Sequence, residues 1–280
     1  METDKLSNLP DNVIDQILSY VPIKDAAKTS LLSREWRYKW ATTPRLVFDD
    51  QSLPPYFDSN GFVTGDKLVS EIDRILLLHF GPICKFKLSY RQSIVPDNDI
   101  DKWILHLSRH PLKEFELQMP NNIRYKVPSC IFSCQNLTRL DLSDCLLKPP
   151  STFKGFRSLK SLRLEYVTLD QAAFDMLMSS SAWLEELTLI DLAGVYRLDI
   201  NAPNLKCFSF EGLTVDVNLK YTSCLTQFFS YMGHFDRQKE YLGNSNNLIK
   251  LLSDMARIES LTIIGDSFEV RAQFTSIIKG

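Results

Sequence analysis

Residues 137–147, LTRLDLSDCLL, and residues 159–169, LKSLRLEYVTL, carry one apolar phrase in the same order: Leu, two residues, Leu, one residue, Leu, two residues, Cys or Val, one residue, Leu. The inner Leu-x-Leu pair has a period of two, which is the signature of a strand with one face turned inward. A lone strand of this kind cannot bury its own apolar face, so the phrase predicts a stack in which each copy covers the next.

Looser copies run outward from these two in both directions. They begin at Ile83 (with Phe86 and Leu88), Leu112 (Phe115, Leu117), Leu184 (Leu187, Leu189, Leu192), Leu205 (Phe208, Phe210, Leu213), Leu225 (Phe228) and Ile258 (Leu261, Ile263). Starts about 20 to 33 residues apart bracket the period of a leucine-rich repeat. Cys145 falls at an inward position, which gives it a structural role without reactivity. Between the strands, Leu68, Ile72, Ile75, Leu76 and His79 form one helical stripe. Ile100, Trp103, Ile104 and Leu107 form a second, and Leu248, Leu251, Leu252 and Met255 a third. Each has the spacing of a surface helix with one buried face. Residues 49–65, with Pro54-Pro55 and Ser59-Asn60-Gly61, read as a connection.

Upstream the pattern changes. Residues 9–40, LPDNVIDQILSYVPIKDAAKTSLLSREWRYKW, hold three short amphipathic helical patterns. Pro10 suits the first turn of a helix, along which Val13, Ile14, Ile17, Leu18 and Val21 recur; Pro22 then closes it. A second helix carries Ala26, Ala27, Leu31 and Leu32, and a third runs from an N-cap at Ser33 to Thr42-Thr43-Pro44. A unit this small leaves much apolar surface unburied, so part of it is expected to face a partner.

Composition sets outer bounds. The 280 residues are 44% hydrophobic and 24% charged, near globular averages, with a formal net charge of −2. Such a balance gives no whole-protein attraction to nucleic acid or anionic membrane. Met-Glu-Thr-Asp-Lys at the start has neither the basic nor the apolar region of a secretory signal, and no apolar run approaches the roughly 20 residues that span a bilayer. An intracellular protein, cytoplasmic or nuclear, is expected. Six cysteines are too few for a disulfide scaffold.

Residues able to carry chemistry are sparse. Cys130 and Cys134 lack a second ligand pair at zinc-like spacing, and His106-Leu-Ser-Arg-His110 lacks the glutamate of a zinc-protease helix, so no metal or other cofactor is expected. With ten glycines and no phosphate-loop pattern, a nucleotide site is not expected either. Cys84 with His79 is the one nucleophile and base pair that can be nominated, and buried repeat positions explain both equally. The outward strand positions, from Lys85 and Lys87, Glu114 and Glu116, Arg139 and Asp141 to Arg163 and Glu165, alternate in sign, which predicts lateral pairing between neighbouring strands. Phe229 and Tyr231 are outward aromatics that either bind a partner or lie under the Tyr241-Leu242 segment.

The upstream order, Leu9-Pro10, then Val13 and Ile17-Leu18, Pro22, and Ser33-Arg34-x-Trp36, resembles the F-box. Leu78-His79-Phe80-Gly81-Pro82-Ile83, Trp103-Ile104-x-x-Leu107-Ser108-Arg109 and Ala202-Pro203-Asn204-Leu205-Lys206 resemble the plant F-box/FBD/leucine-rich-repeat proteins over most of the chain. The C-terminal FBD region common in that family is not matched, which suggests a short form, and the apolar finish around Phe274 and Ile277-Ile278 is expected to fray. The resemblance implies an α/β chain: a three-helix F-box at 1–48, the connection at 49–65, and a curved leucine-rich-repeat solenoid at 66–280 with a parallel sheet on its concave face. It implies a non-catalytic substrate receptor of a cullin-based (SCF-type) ubiquitin ligase, whose F-box docks a Skp-type adaptor, with Leu9, Pro10, Ile14, Leu18 and Trp36 contacting the adaptor or shaping that surface and Ile17 and Val21 internal. The repeats would recruit a protein substrate, with Arg139, Arg163, Phe229 and Tyr231 as candidate contacts. The alternative is a leucine-rich-repeat interaction scaffold outside ubiquitination.

Overall fold

The protein is described by a computed structural model over residues 9–34, 36–50, 52, 65–90, 95–119, 124–180, 182–212, 216–232, 258–265 and 268–273. The chain divides into two compact units, Met1–Ile123 and Arg124–Gly280.

In the first unit, α1 (Asp11–Ser19) starts directly after Pro10, whose carbonyl accepts from the N–H groups of Val13 and Ile14. Pro22 plays the same part for α2 (Ile23–Lys28), accepting from Asp25 and Ala26. The expected second helix is therefore cut short: Thr29–Leu31 tightens into a 3₁₀ turn, and Leu31 and Leu32 are left exposed. The third helix is also 3₁₀, Trp36–Thr42. At its end the hydroxyls of Thr42 and Thr43 donate to the carbonyls of Lys39 and Trp40, each three residues back. Ser33 does not cap it; its buried hydroxyl has no hydrogen-bond partner among the described residues.

A strand follows at once. β1 (Arg45–Asp49) pairs in parallel with β2 (Lys85–Ser89), and β2 with β3 (Glu114–Gln118). Leu46, Phe86 and Phe115 stand in one register column, Phe48, Leu88 and Leu117 in the next, and all are buried. The ladder thus begins in the Arg-Leu-Val-Phe-Asp stretch, ahead of the first repeat expected at Ile83. Two helices pack over this sheet with the expected stripes inward: α3 (Gly65–Leu78) through Leu68, Ile72, Ile75 and Leu76, and α4 (Asp97–Leu107) through Ile100, Trp103, Ile104 and Leu107. Trp103 Nε1 donates to Asp73 Oδ1 at 2.7 Å, tying α4 to α3.

The second unit repeats the scheme. It opens on the short β4 (Tyr125–Lys126), continues through β5 (Arg139–Ser143), β6 (Cys145–Leu146), β7 (Ser161–Glu165), the helix α5 (Gln171–Ser179) and β8 (Glu186–Ile190). Then come β9 (Arg197–Asn201), β10 (Cys207–Glu211), β11 (Asp216–Lys220), β12 (Gln227–Met232), β13 (Ser260–Gly265) and β14 (Phe268–Gln273). Strands β5, β7, β8, β10, β12 and β13 pair in parallel in that order. One inward column reads Leu140, Leu162, Leu187, Phe208, Phe228 and Leu261; the next reads Leu142, Leu164, Leu189, Phe210, Ser230 and Ile263. Every member is buried, Ser230 included, although its hydroxyl finds no partner among the described residues. β14 runs antiparallel to β13 and pairs residues 268–273 with the last parallel strand; the residues expected to fray, from Phe274 on, lie outside those described. Smaller parallel pairs, β4 with β6 and β9 with β11, flank the ladder, and Cys145 is fully buried in the first of them. Helix α5, which the stripes did not announce, is capped by the Asp170 carboxylate on the Ala173 N–H and buries Phe174, Leu177 and Met178. The third expected stripe, around Leu248, lies outside the described residues.

In the first unit the helical module is fastened to α3 at one corner. The carbonyl of Ala41 accepts from the N–H groups of both Phe80 and Gly81, at 3.0 and 3.3 Å, and His79 Nε2 lies 2.9 Å from the Thr43 carbonyl. A Cβ on Gly81 would come within 2.7 Å of Thr42 backbone atoms, closer than real contacts allow. Gly81→Ala should therefore lower stability by about 1–3 kcal/mol, read in a denaturant titration. Burial holds the His79 pKa below its ordinary value; the Thr43 hydrogen bond opposes this, and the nearby His110 and His106 add to it. His110 is lowered likewise, by burial and by His106, whose ring centroid is 4.8 Å away. The unfolded chain takes up these protons near the ordinary histidine pKa of about 6.5, before the folded chain does. Stability contributed by the neutral rings is thus intact above that pH and lost as the pH falls below it. The melting temperature should decline from pH 7 to pH 5, with a shallower slope in His79→Gln.

Candidate functional site

The helical module offers one candidate surface. Its interior is built from Ile14, Leu18, Ile23, Ala26, Trp36, Trp40 and Ala41. Exposed around that interior stand Ile17 at 42%, Tyr20 at 78%, Leu31 at 87%, Leu32 at 66% and Tyr38 at 62%. Ile14, Leu18 and Trp36, expected to contact the partner or to shape the contact surface, are buried in the module, which fits the shaping role, whereas Ile17, expected to be internal, faces water, and Val21 is half-buried. The α2 helix stops at Lys28 and the third is wound as 3₁₀, and in that arrangement Trp36 and Trp40 are buried together with Ile14 and Leu18 of α1. Leu9 is half-buried and Pro10 exposed, so both sit at the rim.

The outward face of the strand ladder is the second candidate, and its charges are largely consumed by one another. Lys85 Nζ lies 2.6 Å from Glu114 Oε2, and Lys87 Nζ 3.0 Å from Glu116 Oε1, each across the β2–β3 register. Ser89 Oγ donates to Gln118 Oε1 at 2.6 Å on the same pair of strands. In the second unit, Arg163 Nη2 donates to Glu165 Oε2 at 2.7 Å and its Nε stands 3.9 Å from Asp141 Oδ1. Arg139 is exposed at the first position of β5. Farther along, Phe229 is 39% exposed between Ser209 and Thr262, and Tyr231 is half-buried between Glu211 and Ile264. The Tyr241-Leu242 segment lies outside the described residues.

Left-handed backbone at the strand ends is a feature that the sequence pattern did not disclose. Asp144, Tyr166 and Asp191 follow β5, β7 and β8 with φ of 56°, 53° and 46°. Each N–H reaches the last strand carbonyl of the next rung: Glu165, Ile190 and Glu211, at 2.8 to 3.0 Å. The aspartates are a faint signal for this conformation; Tyr166 gives none.

The residues weighed for chemistry are placed structurally. His79 is buried with Nε2 on a backbone carbonyl, and its Nδ1 has no hydrogen-bond partner among the described residues, so it is not bonded to Cys84. Burial pushes the Cys134 thiol up to about 11 and raises that of Cys145 further, which suppresses thiolate in both. All six cysteines are free of disulfides. Among the described residues no three His, Cys, Asp or Glu side chains converge to hold a metal, and no helix is long and apolar enough to cross a membrane.

Residues 6–47 match the family model of the F-box domain, and residues 100–244 match the model described as FBD-associated F-box protein At5g56370, LRR repeats. The chain is similar to the Arabidopsis thaliana F-box/FBD/LRR-repeat protein At1g13570, 38% identical over 261 residues that cover 92% of this chain and 61% of the relative. It is 32% identical to F-box/FBD/LRR-repeat protein At5g56420 of the same plant, over 74% of this chain and 48% of that one, and 34% identical to F-box/LRR-repeat protein At3g59210, over 68% and 40%. The chain thus spans about two fifths to three fifths of the length of these relatives.

The division within the matched helical segment can be measured. Ile14→Ala and Trp36→Ala should each cost about 2–5 kcal/mol in denaturant titration, while Ile17→Ala and Tyr20→Ala should stay within about 0.5 kcal/mol of the parent.

Proposed function

Because the chain belongs to the F-box and leucine-rich-repeat family, we propose that it is a substrate-receptor subunit of a cullin-based, SCF-type ubiquitin ligase. The F-box implies binding to a Skp-type adaptor, and the observation that carries the proposal is the exposed apolar set Ile17, Tyr20, Leu31, Leu32 and Tyr38 on that module. Ile17 lies in α1, Tyr38 in the 3₁₀ helix, and Tyr20, Leu31 and Leu32 at helix ends, so their backbone is already hydrogen-bonded and docking orders little that is not already ordered. Leu9 and Pro10 flank the set, while Ile14, Leu18 and Trp36 act by holding its scaffold.

The leucine-rich repeats would recruit the substrate. Phe229 and Tyr231 are the best-supported contacts, since aromatic side chains carry much of the energy of protein interfaces; Arg139 adds an exposed charge, and Arg163 enters as part of its pair with Glu165. The protein breaks and makes no bond in this scheme. Holding a substrate beside a ubiquitin-charged enzyme raises its effective concentration, as in any tethered reaction. Since that machinery works inside the cell, we place the protein in the cytoplasm or nucleus.

Isothermal calorimetry of the full chain against a purified Skp-type adaptor tests the reading. Saturable binding is expected, weakened at least about tenfold in a Tyr20→Ser, Leu31→Ser double variant whose melting temperature is unchanged. No binding by the parent protein would overturn it.

A further inference from the structure

Beyond the end of the F-box match at residue 47, the corner joining α3 to β2 exposes Leu77 at 85%, Leu78 at 48% and Phe80 at 66%. They are not an unsatisfied remnant of the α3 stripe, because Leu68, Ile72, Ile75 and Leu76 already bury that helix's apolar face. Three large apolar side chains within four residues, held out into water, are the mark of a contact surface.

Their position assigns them a partner. The backbone that carries them is bonded to the F-box: the Phe80 and Gly81 N–H groups donate to the Ala41 carbonyl, and His79 Nε2 sits on the Thr43 carbonyl. Ala41 lies in the Trp36–Thr42 turn, three residues after the exposed Tyr38 and so on the same side of a 3₁₀ helix. The Cβ-free approach of Gly81 to Thr42 leaves no room for a spacer between the two segments. The exposed corner is therefore bonded directly to the F-box turn that carries Tyr38, one turn from it.

We propose that Leu77, Leu78 and Phe80 extend the adaptor-docking surface beyond the F-box, with an apolar segment of the same Skp-type adaptor as their occupant. This rests on the function proposed above. Because the corner is pinned by backbone bonds, its side chains reach the adaptor without paying to order a loop.

The test uses the full chain and purified Skp-type adaptor in calorimetry, with Leu77→Ser combined with Phe80→Ser, Leu77→Lys alone as a milder variant, and Trp183→Ser as a control. Trp183 is equally exposed, at 62%, but lies in the second unit. The double variant should bind at least about tenfold more weakly and Leu77→Lys at least about threefold, while Trp183→Ser matches the parent. Affinities within twofold of the parent for both corner variants overturn the proposal. So does an equal loss in Trp183→Ser, or a result in which the corner variants abolish self-association of this chain yet bind adaptor normally. If the corner variants bind like the parent while Tyr20→Ser with Leu31→Ser weakens binding, this inference alone fails; if the parent does not bind, the underlying function fails with it.

Discussion

Lateral burial of the Leu-x-Leu pair is the constraint on which the repeat architecture depends. A single rung such as Arg139–Ser143 has two inward leucines and no second layer of its own. They leave water only when Leu162 and Leu164 stand beside them in register, and those in turn need Leu187 and Leu189. Burying a leucine side chain is worth about 1.5–3 kcal/mol, so each added rung gains from its neighbours what it cannot gain alone. The same dependence explains the substitutions it admits. Phe208, Phe228 and Phe210 replace leucine where the columns continue, since any bulky apolar group serves, while Ser230 is accommodated only because the rungs on both sides fill the column around it.

This dependence is why so much of the fold was legible. A phrase that recurs with its spacing intact signals strand, face and register together, and Leu112, Phe115 and Leu117 or Leu184, Leu187 and Leu189 took the positions their spacing implied. The helical stripes of α3 and α4 were equally readable, because a buried helix face writes a period into the sequence. What escaped had no period to write. β1 offers a single Leu46-x-Phe48 pair with no leading leucine, and α5 is short, announced mainly by its Asp170 cap. The left-handed turn at Tyr166 is imposed by a backbone bond to Ile190 rather than by residue preference.

The F-box was legible as a segment, while the burial of its individual side chains was legible only in part. Helical periodicity in α1 places Ile14, Ile17, Leu18 and Val21 along one side but cannot say which edge is covered, since that depends on elements distant by only a few residues and wound differently. Had the Trp36–Thr42 segment formed an α-helix, its aromatics would sit elsewhere around the axis. It is wound as 3₁₀ instead, and both Trp36 and Trp40 are buried, as are Ile14 and Leu18 of α1.

Pairing between rungs also shapes what the outward face can do. Lys85, Lys87, Glu114 and Glu116 neutralise one another in situ, and surface pairs of this sort contribute only about 0–1 kcal/mol each. Their effect on recognition is larger than their effect on stability, because a neutralised strip neither steers a charged partner nor demands one. Along β12 the outward side chains are instead Phe229 and Tyr231, which present aromatic area rather than charge. In the first unit, the bonds from Ala41 and Thr43 to the His79–Gly81 corner hold the helical module directly against the end of α3, with the hydrogen-bonding groups of one segment satisfied by the other.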